Sequence, residues 1–307
     1  MVTRRITKAA KARGAAIMLA LWALFLLSAM IISWALDINT RLTNSGNTSR
    51  NLEAVAMACS GAEIALHPGV KPGAAVLKGS FGGQGQNFEA RITGEGGRLN
   101  LNRLAAGENP VNLEFLRKYL EIKGVDLNER DHMIDCLLDW IDPDNLVRLN
   151  GAEDEPGYKA ANKLLGSLDE LKRVRGWEEF TAQPDWDADF TLNSTDAKID
   201  INWASRDVLL ALPGMFEGLV DRLIAMRLGP DGIDGTPDDF KFANPQDVQL
   251  ALGFSQEQFN QLAALLTFND PVLRVESIGK SGAATRTVRM VIRKVGNSIQ
   301  LLTWKEL

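Results

Sequence analysis

The sequence predicts an α+β protein: a long N-terminal helix packed on a small antiparallel sheet, with a large, mainly helical domain inserted between strands. Three observations carry this expectation. Residues 15–36 form an apolar run without a single charge. Alternating apolar and polar residues occur in two separated places, at residues 87–102 and again beyond residue 272. The stretch between them, about residues 109–266, is patterned mostly for helices.

The apolar run comes first. Ser28 and Ser33 are its only hydroxyls. A helix rises about 1.5 Å per residue, so this run is roughly 33 Å long, enough to cross a bilayer core of about 30 Å. Arg4, Arg5, Lys8, Lys11 and Arg13 precede it, and no acid lies among them. Basic flanks stay on the cytoplasmic side, so the bulk of the chain is expected to cross. Residues 37–66 continue helically, with Leu52, Val55, Ala56, Cys59, Ala62 and Ala65 near helical spacing, until His67-Pro68-Gly69 ends the helix.

Residues 69–85, rich in Gly and Lys, read as a loop. Residues 87–93 alternate like a strand, Gly96-Gly97 turns the chain, and residues 98–102 look like a second strand. Three further alternating stretches, residues 272–277, 285–294 and 299–304, close the chain. The domain plan is therefore a basic leader at 1–14, a helix at 15–66 that begins with the membrane span, and first strands at 67–108. An inserted helical domain follows at 109–268, with final strands at 269–307.

The net charge of −5 hides a split, because the first fourteen residues carry +5 and the remainder about −10. An acidic body argues against wrapping a polyanion and suits metal cations better. Cys59 and Cys136 either pair in an oxidising compartment or stand as two separate thiols, the plainer reading.

The N-terminal segment admits three readings: a cleaved secretory signal, a plain anchor, or a processed leader. Signal h-regions run about 7–15 residues, shorter than this one. Lys11-Ala12-Arg13-Gly14, set directly against the apolar run, resembles the type IV prepilin leader. That resemblance implies a cut by prepilin peptidase between Gly14 and Ala15, with the hydrophobic helix kept and Ala15 N-methylated. The fifth mature residue would be Leu19, where most pilins and pseudopilins carry glutamate. An unpaired carboxylate within a membrane or helix bundle is costly, so a leucine suits a subunit with no neighbour above it.

Later blocks are more specific. Residues 97–102, Gly-Arg-Leu-Asn-Leu-Asn, resemble the signature of protein K of the type II secretion system, the large minor pseudopilin. Residues 138–144, then Gly151-Ala152-Glu153-Asp154-Glu155 and Tyr158, resemble its acidic segment. Residues 167–171, 199–204, 211–215 and 302–306 resemble further blocks in family order, from the leader to the closing strand. Asp200 and Trp203 depart from the family's usual Asn and Thr, and Ala15 is smaller than its usual first residue. The resemblance implies a pilin fold and a minor pseudopilin of the inner membrane, with its N-terminus cytoplasmic and its bulk periplasmic. Implied partners are minor pseudopilins I and J, the major pseudopilin, prepilin peptidase, and the exoprotein or secretin.

Residues 139–155 hold six carboxylates: Asp139, Asp142, Asp144, Glu153, Asp154 and Glu155. On the residues alone this is either a solvated acidic loop or a cradle for a hard cation with six to eight oxygen ligands. Counted from Asp142 it is not an EF-hand, because Leu146 and Val147 fill positions that need Asp or Asn and Gly. The family resemblance implies calcium here, with Asp142, Asp144, Glu153 and Asp154 as first choices and Asp139 beside them. Residues 229–239, rich in Asp and Gly around Asp231 and Asp234, form a second loop that reads more simply as solvent-facing turns.

Leu212-Pro213-Gly214-Met215 looks like a helix-hairpin-helix, but Phe216 and Glu217 follow where a DNA-binding hairpin needs a second glycine and no negative charge. No nucleic acid is therefore expected. His67 and His132 lack a nucleophile motif, so no enzyme is expected. Two other functions compete with the pseudopilin: a membrane-anchored hairpin protein binding DNA in uptake, and an anchored calcium-dependent hydrolase.

Overall fold

The computed structural model describes residues 3–81, 85–232, 238–296 and 298–307, with side chains from Ala16 onward. One helix, α1 (Thr3–Leu66), runs 64 residues without a break. Its first described portion touches nothing: Leu19 is 71% exposed, and Trp22, Phe25 and Ile31 are exposed beside it. Among the described residues this is the one helix long and apolar enough to cross a membrane. His67 Nδ1 accepts a bond from the Gly69 amide at 3.2 Å, just past the helix end. Two strands follow, β1 (Lys78–Gly79) and β2 (Gln86–Gly94).

The chain then leaves the sheet until residue 272. Residues 98–102 were expected to form a strand of the same sheet as β2, and the structure corrects this. Only Leu99–Asn100 form a strand, β3, and it pairs in parallel with β4 (Phe190–Thr191) of the inserted domain. The Asn100 side chain accepts the Arg103 amide and caps α2 (Leu101–Ala105), so the local polar residue starts a helix where alternation suggested a strand. α3 (Pro110–Ile122) and α4 (Leu127–Ile141) follow. Asn109 caps α3 and Pro110 sits at its first position, where a missing N–H costs nothing. Phe115, Leu116, Tyr119 and Leu120 form its buried face against Met133, Ile134 and Leu137 of α4. The remainder is α5 (Glu178–Thr181), β5 (Ile199–Asp200), α6 (Arg206–Ala211), α7 (Glu217–Arg227), α8 (Pro245–Leu252), α9 (Gln256–Ala263) and β6 (Leu266–Thr267). One apolar core joins these elements, with Trp140, Trp177 and Phe190 fully enclosed.

β7 (Val272–Ser281), β8 (Ala284–Val295) and β9 (Ser298–Glu306) complete a five-stranded antiparallel sheet of order β1-β2-β7-β8-β9. β2 and β7 are neighbours although the whole insertion lies between them in sequence. A second core lies between α1 and this sheet. The α1 face there is Ala54, Ala58, Ala62 and Ala65, one small residue per turn, whereas Leu52 and Ala56 turn to solvent. Ala62 and Ala65 of the expected stripe are thus buried, while Ala54 and Ala58 take the place of its earlier members with smaller side chains than Leu52 and Val55. Close approach explains it, since a Cβ added to Gly279 of β7 would lie 2.0 Å from Ala54 O and 2.3 Å from Ala58 N. The helix rests on the sheet backbone itself, and even a methyl group at residue 279 would force the two apart, typically at about 1–3 kcal/mol.

A buried ion pair joins the two cores. Arg274 of β7 donates from Nε and Nη2 to the Glu95 carboxylate at 2.8 and 2.9 Å, and from Nη2 to Phe190 O at 3.2 Å. The Thr191 hydroxyl donates to Glu95 at 2.5 Å. Burial pushes the Glu95 carboxyl up, but the Arg274 and Arg98 charges and these bonds outweigh it and hold it below the usual carboxylate range. The pair therefore locks the start of the insertion to the middle of the sheet. Cys59 on α1 and Cys136 in α4 are both free thiols in different cores.

Candidate metal centre

The acidic loop begins where α4 ends. Asp139 lies in the last turn of the helix and is fully buried. Asp142 closes the helix in an extended conformation, which the following Pro143 favours. The Asp144 carboxylate then accepts the Leu146 amide at 2.9 Å, a local turn that starts the chain back. On its return the chain passes so close to Asp139 that a Cβ at Gly151 would sit 1.9 Å from Asp139 Oδ2. Only glycine fits. Ala152, fully buried, anchors the return and carries Glu153 inward, where it is 3% exposed.

Three carboxylates meet there. Asp139, Asp142 and Glu153 each offer an oxygen within 4.8 Å of the others. Among the described residues, both Glu153 oxygens and Asp142 Oδ1 are buried without a hydrogen-bond partner. Buried carboxylates are ordinarily bonded, so these orphaned oxygens mark a place with unmet demand for positive charge. Burial, followed by the charges of Asp139 and Asp142 and then those of Asp154 and Asp144, pushes the Glu153 carboxyl up to about 7. Arg148 meets part of the demand, donating to Asp139 Oδ1 and Asp142 Oδ2.

The other predicted ligands lie outside this group of three. Asp144 is exposed and occupied with its turn, and Asp154 is exposed with the Lys159 ammonium 3.9 Å away. Both still add negative charge at Glu153. Glu155 is paired with Arg175 at 2.6 Å. Sequence reasoning passed over Arg148 and its third partner, Glu108, which accepts from Arg148 Nη2. The lone cation inside an acidic run was the available signal for Arg148. Glu108 lies outside the run and carries none.

The remaining candidates separate from this site. Asp231 and Asp238 are linked through the Asp231 amide at 3.2 Å, while Asp234 lies outside the described residues. Gly214 takes a left-handed backbone between α6 and α7, which fits the hairpin turn. Phe216 is exposed beside it, and Glu217 and Asp221 are paired with Arg206. His132 Nδ1 lies 2.6 Å from Asn150 O, a bond that helps tie the acidic loop to α4. Gly14 and Ala15 fall on the α1 backbone, their side chains outside the described ones, and Leu19 faces outward in the exposed portion.

A membrane-length helix laid on a small antiparallel sheet, with a helical domain inserted between strands, is a pilin-like architecture with a large insertion. Residues 97–183 match the family model for protein K of the type II secretion system. A chain in the crystal structure of the GspK–GspI–GspJ complex from the enterotoxigenic Escherichia coli type 2 secretion system superposes with a TM-score of 0.57 at 16% identity. That match covers 88% of this chain and 98% of that one. No curated protein matches the sequence. Residues 97–183 thus match a type II secretion protein K domain, and the chain as a whole has a GspK-like fold.

The Glu153 environment makes a pH prediction for the ion-free protein. Its folded pKa lies above the ordinary carboxylate value, so the folded chain holds the proton over a range where the unfolded chain has lost it. Stability should then fall as pH rises from about 4.5 towards about 7 and level off above that. In chelator, Glu153→Gln should gain on the wild type in melting temperature from pH 5 to pH 8. A difference independent of pH would contradict this environment.

Proposed function

We infer that the chain works as a minor pseudopilin at the tip of a type II secretion pseudopilus, capping or initiating it with minor pseudopilins I and J to support protein secretion across the outer membrane. The observation that carries this reading is the placement of a protein K domain at the end of a retained-length apolar helix. The matched crystal structure is of a complex with GspI and GspJ, and the 98% coverage of its chain supports extending that assembly here. The exposed α1 surface around Leu19, Trp22 and Phe25 needs lipid or other helices to cover it, which one apolar rod provides in turn as tether and as assembly face. Leu19 asks for no charged partner above it, consistent with a terminal position. Prepilin peptidase would remove residues 1–14 on the cytoplasmic side of the inner membrane, leaving the sheet and insertion in the periplasm. The major pseudopilin would lie below, and the cap would face the exoprotein or secretin. The bulk of the insertion suits an end position, because lateral stacking in a thin filament would crowd it.

A hard divalent cation, calcium by its preference for oxygen ligands, fits the acidic loop. Asp139, Asp142 and Glu153 would hold it, and the unpartnered Glu153 oxygens support this more directly than the count of acids. The ion would brace the loop rather than supply chemistry, in keeping with a family that forms a structural part of a secretion machine.

Two measurements test these readings. Co-expressed in membranes and extracted in detergent, the chain should purify with both smaller minor pseudopilins as one complex; purification alone under conditions that retain those two together would contradict the tip assignment. Replacing chelator with calcium should raise the melting temperature of the purified chain. An unchanged melting temperature would remove the cation from the account.

A further inference from the structure

We propose that Arg148 is a built-in counter-cation that folds the acidic loop before any divalent ion arrives and leaves the Glu153 side of the cluster open to that ion. The inference rests on the cation reading above and deepens it.

Apolar packing adds little to hold the loop. Leu146, Val147 and Leu149 are 75%, 58% and 97% exposed, so the apolar side chains around Arg148 contribute no core. From Pro143 to Asn150, Arg148 alone is not exposed. Its guanidinium donates to Asp139 Oδ1, Asp142 Oδ2 and Glu108 Oε1, and its own amide donates to Asp139 Oδ2 at 3.3 Å. One residue thus satisfies both oxygens of the fully buried Asp139 and draws the loop tip onto the end of α4. Further ties exist at the loop margins, from Asn150 to Asp135 and from Asn162 to the Asp144 carbonyl. They do not reach Asp139.

The division of oxygens is the informative part. Arg148 takes one oxygen of Asp142 and leaves the other without a partner, and it makes no bond to Glu153. When ionised, Asp139, Asp142 and Glu153 carry three negative charges, and the single guanidinium, which Glu108 also shares, leaves at least two uncompensated. A divalent cation on the free oxygens would offset two of them. A planar guanidinium with fixed donors suits the bridging side, since it can serve several carboxylates at once without being stripped of its own charge. Loss of Arg148 would leave Asp139 buried with one oxygen unpaired, and the ion would become the only strong source of compensation.

The test uses the full chain in detergent as wild type, Arg148→Met and Arg148→Lys. Each is melted in chelator and in calcium, with limited proteolysis of the loop under both conditions. In chelator, Arg148→Met should melt well below wild type and be cut in the loop about tenfold faster. Calcium should recover much of that loss, so its increment in melting temperature should be at least about double the wild-type increment. Arg148→Lys, which keeps the charge but not the fork, should fall between the two. If Arg148→Met cannot be recovered folded, Arg148→Lys carries the comparison, and an increment equal to wild type would overturn the proposal. Equal chelator stability and equal increments for Arg148→Met and wild type would likewise overturn it. A wild type that does not respond to calcium would instead show that the underlying cation reading is wrong.

Discussion

The fold depends on how closely α1 can lie on the sheet. Gly279 meets the backbone of the helix at Ala54 and Ala58, and the alanines on that face leave no side chain to hold the layers apart. Bringing backbone against backbone fixes the helix in both translation and rotation, since a small shift would bring a bulkier residue over the strand. The consequence extends beyond the contact. α1 is unbroken from Thr3 to Leu66, so the orientation set at Ala54 and Ala58 is carried along one rod towards its exposed apolar end. What happens to that end in a membrane or a bundle of helices is thereby coupled to the position of the sheet.

A second joint carries that coupling into the insertion. Glu95 and Arg274 are separated by the whole inserted domain in sequence, yet they form a bidentate pair in the interior, with Thr191 and Phe190 O completing the bonds. Such a pair contributes position more than net stability, because much of its attraction offsets the cost of taking two charges from water. Here it sets the insertion's first turn against β7. The acidic loop lies farther out, at the end of α4, and follows a different logic. Its backbone is shaped by Pro143 and Gly151, but its charge is only partly compensated among the described protein groups. The interior joints are complete without help. The loop is not.

Much of the fold was legible in the residues. The charge-free run of residues 15–36, the split strands and the helical middle all follow from periodicity and composition, and these are properties of single segments. The failures arose where distant segments decide. The buried stripe of α1 could not be chosen among similar small and medium residues without the glycine on β7 that demands the smallest. Residues 98–102 alternate like a strand, but Asn100 caps a helix and the neighbouring β4 belongs to the insertion. In the acidic loop, six carboxylates were visible together, yet only the three-dimensional return through Gly151 shows that Glu153 turns inward while Asp144 and Asp154 remain outside. Arg148 is the one cation between Asp139 and Glu155, and its role follows only from the carboxylates that the fold gathers around it. The pairing of Glu95 with Arg274 has no local signal at all.

The central claim is that the apolar rod is kept in the working protein and ties the cap to the membrane and to its assembly. Intact mass and N-terminal sequencing of the chain extracted from membranes that contain prepilin peptidase address it directly. The account predicts a polypeptide beginning at Ala15, with the mass of one added methyl group. A soluble chain beginning after the apolar run, near Asp37, would contradict it.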